Sequence, residues 1–373
     1  MGDTTLRTSL RNDFAALLPA IVAARLAVLA GWIAVGMLRA GVEPSMRLRA
    51  EGLLAWDGTW YRDIAVSGYD SLPLEALRFF PAYPLLARAL SWPLGGGVGS
   101  VSWTLVLFAN VTAVIAAVVI RRLVLAERGD EQLANRAGIA LTLFPTAFVL
   151  VWAYSEALFL AAAIGFVFAI RRSRWWVAIV LGLIAGATRP LGALLVGFAA
   201  IELVRSWRSS TPADRSLGLA AVASPVVGTA GWLWWAQSRT GDLFFPFTSQ
   251  SDLRGDTVNP LLRLIRGVGE LFGTEALGDG LHLPFALAFV ALVIVVFRRW
   301  PVSYGVYALG VLVVALAAEN LNSLERYALN AFPIVLAIAG LCSTPWRQRA
   351  AVVVGLGGIA ALSCLAWMGT YVP

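Results

Sequence analysis

Long apolar runs alternate with short, arginine-containing connections along the whole chain. A membrane-spanning helix needs about 20 mostly apolar residues. Eleven segments approach this requirement: 14–38, 101–120, 137–153, 156–170, 175–188, 190–205, 217–237, 284–297, 301–318, 328–342 and 350–368. The pattern therefore predicts an all-α polytopic membrane protein with about eleven transmembrane helices.

Two long polar interruptions divide this pattern, at 39–100 and 238–283. No internal repeat or soluble domain is evident, so we expect a single transmembrane domain over 1–373. Proline breaks or kinks a helix, and membrane bundles tolerate this where neighbouring groups satisfy the freed carbonyls. Breaks or kinks are expected at Pro81, Pro145, Pro190, Pro225 and Pro333.

The arginines predict how the chain crosses the membrane, because positive residues are enriched in short cytoplasmic connections. They concentrate in one set of such connections: 1–13, 121–136, 171–174, 206–216, 298–300 and 343–349. We therefore expect a multi-pass protein of the plasma (inner) membrane with a cytoplasmic N-terminus. The segments 39–100 and 238–283 are then the first and second extracytoplasmic loops.

Composition supports this interpretation and excludes several classes of protein. Hydrophobic residues make up 59% of the chain and charged residues 14%, whereas soluble domains are about one quarter charged. The net charge of +7 does not indicate nucleic-acid binding, because the arginines punctuate apolar runs instead of forming one patch. Cys342 and Cys364 give no disulfide framework, and the single histidine, His282, argues against a histidine-based zinc site or a Ser–His–Asp triad. With no Walker A, GxGxxG, HExxH or CxxC motif, we expect no cofactor.

Polar and aromatic residues gather on the predicted outer side of the membrane. Five clusters share this side: 56–90, 152–159, 186–195, 241–256 and 318–333. Ionisable residues at membrane depth are costly and usually functional. Five clusters from distant parts of the chain on one side suggest a single converging cavity.

Asp57, in the stretch WDGTWYRDIAVSGYD (56–70), is the first candidate for chemistry. A carboxylate at the membrane surface can act as a general base on a hydroxyl group within hydrogen-bond reach. The alternative is that Asp57 caps the helix that starts at Gly58. Spacing alone leaves both interpretations open.

Three arginines are candidates for holding an anionic group at the membrane rim: Arg78, Arg189 and Arg326. Guanidinium offers a planar, permanently charged fork suited to phosphate. They would otherwise pair with Glu75, Glu156 or Glu325, or reach lipid headgroups. The stretch RFFPAYPLLARAL (78–90) is typical of an interfacial helix, or of a gate for a lipid tail.

Taken together, these motifs resemble the PIG-V mannosyltransferase family in its bacterial branch, relatives of the second mannosyltransferase of GPI-anchor synthesis. The family pattern W-D-x-x-W/H-F/Y-x-x-I-A-x-x-G-Y, followed by F-F-P-x-x-P-L, is matched in the first loop. Matching residues are Trp56, Asp57, Trp60, Tyr61, Ile64, Ala65, Gly68, Tyr69, Phe79, Phe80, Pro81, Pro84 and Leu85. Further similarity lies at Pro145 and Tyr154–Glu156, in ATRPLG (187–192) and in ERYALNAFP (325–333), although Phe144 stands where Asn is usual.

The resemblance implies a GT-C glycosyltransferase, a bundle of membrane helices whose first outer loop bears an acidic catalytic residue. It implies a polyprenyl-phosphate-mannose donor used on the extracytoplasmic face, with Asp57 as the base that activates an acceptor hydroxyl. Inversion would then convert a β-linked donor into an α-mannoside. The acceptor, a lipid, a glycan or a protein, stays open.

The same resemblance suggests roles for other residues. Arg189 and Arg326, followed by Arg78, would bind the donor phosphate. Residues expected to contact substrate are Trp56, Trp60, Tyr61, Arg62, Asp63, Tyr154, Glu156, Glu325 and Tyr327. No ligand set for a metal is evident, although Asp57 and Asp63 together keep one open.

Three rival interpretations remain. The donor sugar could be glucose, galactose or arabinose, because GT-C enzymes share one architecture. A flippase or transporter of lipid-linked sugars would place ionisable residues near the midplane and on both faces, whereas here only Arg25 departs from the one-sided pattern. A scaffold subunit with a degenerate site is the third. Membrane lipids are expected as further partners and nucleic acid is not, while the oligomeric state and the need for a partner subunit stay open.

Overall fold

A computed structural model of the chain describes residues 2–39, 41–250, 255–273 and 279–373. Residues 251–254, within the predicted outer cluster 241–256, and 274–278, in the predicted second loop, lie outside this description, as does position 40 in the first. The described part is all-α and contains no strand. Its helices are α1 (Gly2–Leu38), α2 (Ser45–Glu51), α3 (Asp57–Ser67), α4 (Ala82–Ser91), α5 (Val98–Arg128), α6 (Glu131–Thr142), α7 (Glu156–Arg171), α8 (Trp175–Thr188), α9 (Leu195–Ser206), α10 (Pro212–Thr240), α11 (Phe245–Thr248), α12 (Pro260–Leu271), α13 (Leu283–Arg299), α14 (Val302–Leu316), α15 (Leu324–Asn330), α16 (Pro333–Leu341) and α17 (Pro345–Trp367).

The protein is an all-α polytopic membrane protein. Within the described ranges, five segments are long and apolar enough to cross a membrane: Arg11–Leu38, Val98–Arg128, Pro190–Ser209, Pro212–Thr240 and Pro345–Trp367. A sixth is obtained if α15 and α16, which meet at 88°, form one broken span. This is fewer than the predicted eleven, because several predicted segments fold as helices of 9–17 residues.

Prolines account for part of this shortening. Pro333 and Pro190 begin new helical segments, whereas Pro225 lies inside the continuous helix α10. The predicted segment 137–153 is not one helix, since α6 ends at Thr142 and a short 3₁₀ turn follows at Ala147–Leu150. Proline lacks the amide proton that a continuing helix needs, so Pro145 suits this break.

Helices α8 and α10 approach very closely, and this contact fixes the position of Arg189. A Cβ atom at Gly186 would lie 2.0 Å from the Pro225 carbonyl oxygen, and one at Gly228 would lie 2.3 Å from the carbonyl oxygen of Leu183. Small residues allow this backbone approach between membrane helices. Arg189 follows directly after α8, so this packing holds it at one end of the bundle.

The first predicted outer loop is built from short helices that are fastened to the bundle. The amide of Ala153 donates to the Leu53 carbonyl at 2.8 Å, and the indole nitrogen of Trp367 donates to the Gly52 carbonyl at 3.0 Å. Trp56 has φ 60°, a left-handed conformation that is unusual for a bulky residue. Its indole donates to the Ala366 carbonyl at 2.9 Å, which helps to hold this strained residue immediately before Asp57.

Candidate active site

A cleft of about 140 Å³ opens at the end of the bundle where α7 begins and α8 ends. Residues from several distant segments line it: Asp57, Tyr61, Arg78, Phe79, Phe80, Thr188, Arg189, Pro190, Gln250, Asn322, Ser323, Arg326, Tyr327, Val372 and Pro373. The first loop, the turn after α8, the segment after α11 and the start of α15 thus meet at one place.

Alternating acidic and basic side chains form a continuous chain beside this cleft. Arg326 Nη1 donates to Asp57 Oδ2 at 3.0 Å, and its Nε lies 2.9 Å from Glu156 Oε1. Arg189 Nη1 donates to the same Glu156 oxygen at 2.5 Å. Asp57 and Glu156 are therefore linked through Arg326, and Glu156 carries two arginines.

Several buried polar atoms in this cluster make no hydrogen bond within the described residues. The Glu156 side chain is fully buried, yet within the described residues its Oε2 has no hydrogen-bond partner. Within the described residues, the Nε atoms of Arg189 and Arg326 likewise donate no hydrogen bond, although Arg326 Nε is close to Glu156. Buried polar atoms without partners are uncommon and call for an explanation. A ligand-binding site is one explanation.

Asp57 does not cap α3. It is the first residue of that helix, and the preceding residue, Trp56, occupies the cap position without a side-chain hydrogen bond. The Asp57 carboxylate instead turns toward Arg326, and its side chain is 25% exposed. Among the described residues, its second oxygen, Oδ1, has no hydrogen-bond partner. Of the two interpretations left open by the sequence, the helix cap is therefore wrong.

Arg78 differs from the other two arginines of the cleft. In the part of the chain that the structure describes, it has no carboxylate partner, and the predicted pairing with Glu75 is not seen. Its guanidinium carbon lies 5.3 Å from the Trp60 ring centroid and 5.0 Å from that of Phe79. These aromatic rings hold the cation in the cleft wall without neutralising it.

Tyrosine and serine side chains form hydrogen bonds with one another and with residues of this cluster. Tyr61 OH donates to Ser155 Oγ at 2.8 Å, and Arg189 Nη1 also donates to that oxygen, at 3.1 Å. Burial raises the pKa of Tyr61 well above its usual range, so the phenol stays neutral and acts as a donor. Tyr154 OH accepts the Asp57 amide at 3.4 Å, and Arg326 lies over the Tyr154 ring.

Several predicted substrate-contacting residues lie outside the cleft lining. Trp56 is fastened to α17, and Trp60 stacks on Phe79 with 5.6 Å between ring centroids. Arg62 and Asp63 pair with each other at 2.8 Å on a partly exposed surface. Tyr154 and Glu156 lie behind the lining residues. Direct substrate contact for these residues stays a prediction, whereas Tyr61 and Tyr327 do line the cleft.

Glu325 is buried beneath the cleft and pairs with the only histidine. His282 Nδ1 lies 2.7 Å from Glu325 Oε1, and Tyr371 OH donates to Oε2 at 3.3 Å. Glu325 therefore does not neutralise the adjacent Arg326, which pairs with Asp57 instead. This arrangement places Glu325 in a supporting position.

Sequence reasoning missed part of the cleft lining. Gln250 and Asn322 are polar residues of the lining that no motif singles out, although both lie within predicted outer clusters; Thr188 belongs to the matched stretch ATRPLG, but no role is predicted for it. Ser155 was noted only as part of a matching triplet, yet it joins Tyr61 to Arg189. No group of three or more His, Cys, Asp or Glu side chains in the described residues could hold a metal ion.

Comparison with known families gives one informative match. Residues 39–216, slightly under half of the chain, match the family described as Mannosyltransferase (PIG-V). The predicted resemblance is confirmed for this region, which includes Asp57, Arg78, Glu156 and Arg189. The match supports mannosyl transfer as the reaction. A search of curated proteins found no match.

Proposed function

We propose that the protein is an inverting mannosyltransferase that moves mannose from polyprenyl-phosphate-mannose to a hydroxyl group of a lipid, glycan or protein. We place the reaction on the extracytoplasmic face of the plasma membrane. The observation that carries this proposal is the cleft that holds the Asp57 carboxylate together with Arg78, Arg189 and Arg326. A base and several cations within one small cleft suit a reaction that removes a proton and releases a phosphate.

Asp57 is the proposed general base. Arg326 holds one carboxylate oxygen, Oδ2, and thereby fixes the orientation of the group. The other oxygen is free of hydrogen bonds within the described residues and belongs to a cleft-lining side chain. It can therefore accept the proton of an incoming acceptor hydroxyl.

The charge balance of the cleft favours an anionic substrate. Among the described side chains of the cleft and the cluster beside it, three arginines, Arg78, Arg189 and Arg326, outnumber two carboxylates, Asp57 and Glu156. Arg189 and Arg326 are already paired, whereas Arg78 has no carboxylate partner among the described residues. We therefore assign the donor phosphate chiefly to Arg78, which reverses the order expected from the motifs.

The reaction can be written with these groups alone. The acceptor oxygen attacks the anomeric carbon of mannose while Asp57 takes its proton, and a new carbon–oxygen bond forms. The bond from the anomeric carbon to the phosphate oxygen breaks on the opposite side, which inverts the configuration. The polyprenyl phosphate leaves with the bonding electron pair, and Arg78 stabilises the charge that develops on it.

The surroundings of the cleft would allow a lipid-linked donor to enter it from the membrane. Phe79 and Phe80 line it and lead directly into α4, whose Leu85, Leu86 and Leu90 are exposed. An amphipathic helix with exposed leucines suits the membrane interface. A polyprenyl chain in the bilayer can therefore present its phosphate to Arg78 without leaving the membrane.

The test is mannose transfer by the protein reconstituted in vesicles. Radiolabelled polyprenyl-phosphate-mannose is supplied with a total lipid and glycan extract, and nucleotide-linked mannose is tried separately. We expect the protein to transfer mannose from the lipid-linked donor but not from nucleotide-linked mannose. Asp57→Asn should lose this transfer. Asp70→Asn, which changes a carboxylate of the same loop that pairs with Arg239, should transfer mannose normally. Transfer by Asp57→Asn would refute the assignment of the base. Movement of the intact lipid-linked sugar across the vesicle membrane, without transfer of mannose to an acceptor, would favour a flippase instead.

A further inference from the structure

A second groove lies at the end of the bundle opposite the cleft. It has a volume of about 800 Å³ and is formed by α5, α7 and α8 together with the turn between the last two. Helix α7 connects the two sites, since it begins at Glu156 in the acidic and basic cluster and ends at Arg171. In the predicted orientation, this groove faces the cytoplasmic leaflet.

The groove combines an apolar wall with arginines at its mouth. Aliphatic and aromatic side chains, among them Leu125, Phe168 and Leu181, form the wall. Arg122, Arg172 and Arg174 also line it, whereas no acidic side chain is found in the described lining. The lining is therefore apolar along α7 and α8 and positive at the turn that joins these two helices.

The arginines in and beside this groove differ in whether they pair with a carboxylate. Arg171 is bound by Glu127 and Glu202, and Arg122 pairs with Asp13 at 2.6 Å. Arg172 and Arg174, in contrast, have no carboxylate partner among the described residues, and both are exposed. Arg172 instead lies over the Phe168 ring at 5.6 Å from its centroid.

We infer that this groove binds an anionic glycerophospholipid of the adjacent leaflet. Arg172 and Arg174 would contact the phosphate, and an acyl chain would lie along the apolar wall. Basic pockets between membrane helices on the cytoplasmic side are suited to anionic headgroups. A soluble anion would use the arginines but not the wall, so the two features together indicate a lipid. This inference is independent of the proposed transferase activity.

The test is native mass spectrometry of the full-length protein in detergent, titrated with dioleoylphosphatidylglycerol or dioleoylphosphatidylcholine. We expect a saturable one-to-one complex with the anionic lipid. Exchanging both Arg172→Gln and Arg174→Gln should weaken it about 25-fold, or about fivefold for each charge. The matched control, Arg208→Gln with Arg298→Gln, removes two exposed arginines of the same end that do not line the groove and should leave binding unchanged. Equal binding of both lipids, or an equal loss in the control, would overturn the proposal.

A second pair of variants tests the apolar wall while the arginines are kept. Val177 lines the groove, so Val177→Trp should fill it and weaken binding of the anionic lipid. Val180→Trp, on the same helix and also exposed but outside the lining, should not. If Val177→Trp binds normally, or if inorganic phosphate competes fully at millimolar concentration, the site is a headgroup or anion site without a seated lipid, and the proposal is wrong.

Discussion

Two ion-pair clusters lie at opposite ends of α7, and they differ in how many of their carboxylate oxygens accept hydrogen bonds. At its start, Glu156 binds Arg189 and approaches Arg326, which in turn holds Asp57. At its end, Arg171 bridges Glu127 and Glu202. Since Arg205 also pairs with Glu202, each cluster has two carboxylates and two arginines, so charge composition alone does not distinguish them.

Hydrogen bonding separates the two clusters. In the far cluster, both oxygens of Glu127 accept from Arg171, and those of Glu202 accept from Arg171 and Ser303. In the near cluster, Glu156 Oε2 and Asp57 Oδ1 have no such partner within the described residues. Of the two clusters, only the near one borders the cleft, beside Arg78, which has no carboxylate partner among the described residues. A saturated network stabilises the bundle, whereas an unsaturated one beside a cleft is suited to a ligand.

The largest effect is expected for Asp57→Asn. Asparagine keeps the shape of the side chain but cannot accept the acceptor proton, so the rate of mannosyl transfer should fall about 10²- to 10⁴-fold. Initial rates in reconstituted vesicles measure this, with the unfolding temperature as a control for folding. A rate within tenfold of wild type would mean that Asp57 is not the base.

Arg78→Gln should have the next largest effect. Removing the cation that stabilises the leaving phosphate should reduce kcat about 100-fold. Arg88→Gln is the matched control, because Arg88 belongs to the same loop but lies outside the cleft lining. Equal losses in the two variants would show a general surface-charge effect and remove Arg78 from the site.

Glu127→Gln tests the far cluster and should act on stability instead of chemistry. Breaking a largely buried ion pair from one side costs about 3 kcal/mol, and the Glu127 side chain is only 11% exposed. Thermal unfolding in detergent should show a lower midpoint, whereas the transfer rate per folded molecule should stay within twofold. A large loss of rate without a loss of stability would contradict the scaffold role.

The smallest effect is expected for Tyr61→Phe. This change removes the hydrogen bond to Ser155, which also contacts Arg189. One such bond contributes about 1 kcal/mol, so transfer should slow about fivefold. Because burial raises the pKa of Tyr61, the phenol stays protonated near neutral pH, and the variant should keep the pH–rate profile of the wild type. A profile that changes shape would mean that Tyr61 takes part in proton transfer.

The sequence predicted the long elements better than the short ones. Helices α1, α5, α10 and α17 follow long apolar runs, interrupted in α1 only by Arg25, and such runs are the pattern that best indicates a membrane span. The region around Pro145 was predicted as a span, but buried turns there replace a helix. Apolar composition shows that a segment is buried, but tertiary contacts decide whether it is helical.

Residues of the candidate site were predicted more readily than their pairings. Asp57, Glu156, Arg189 and Arg326 all stood out in the motifs. That Arg326 would pair with Asp57 and not with the adjacent Glu325 depends on contacts between positions 269 residues apart, which no local pattern encodes. The single histidine, His282, argues against a zinc site or a Ser–His–Asp triad, but only the fold shows that it lies beside Glu325.

We assign chemistry to the cluster at the start of α7 and a stabilising role to the cluster at its end. The decisive experiment measures the transfer rate and the unfolding temperature on the same preparations of Asp57→Asn and Glu127→Gln. We expect different results: Asp57→Asn loses transfer although it stays folded at the assay temperature, and Glu127→Gln unfolds at a lower temperature with its transfer rate per folded molecule retained. Retained transfer in Asp57→Asn, or lost transfer in a fully stable Glu127→Gln, would contradict this assignment.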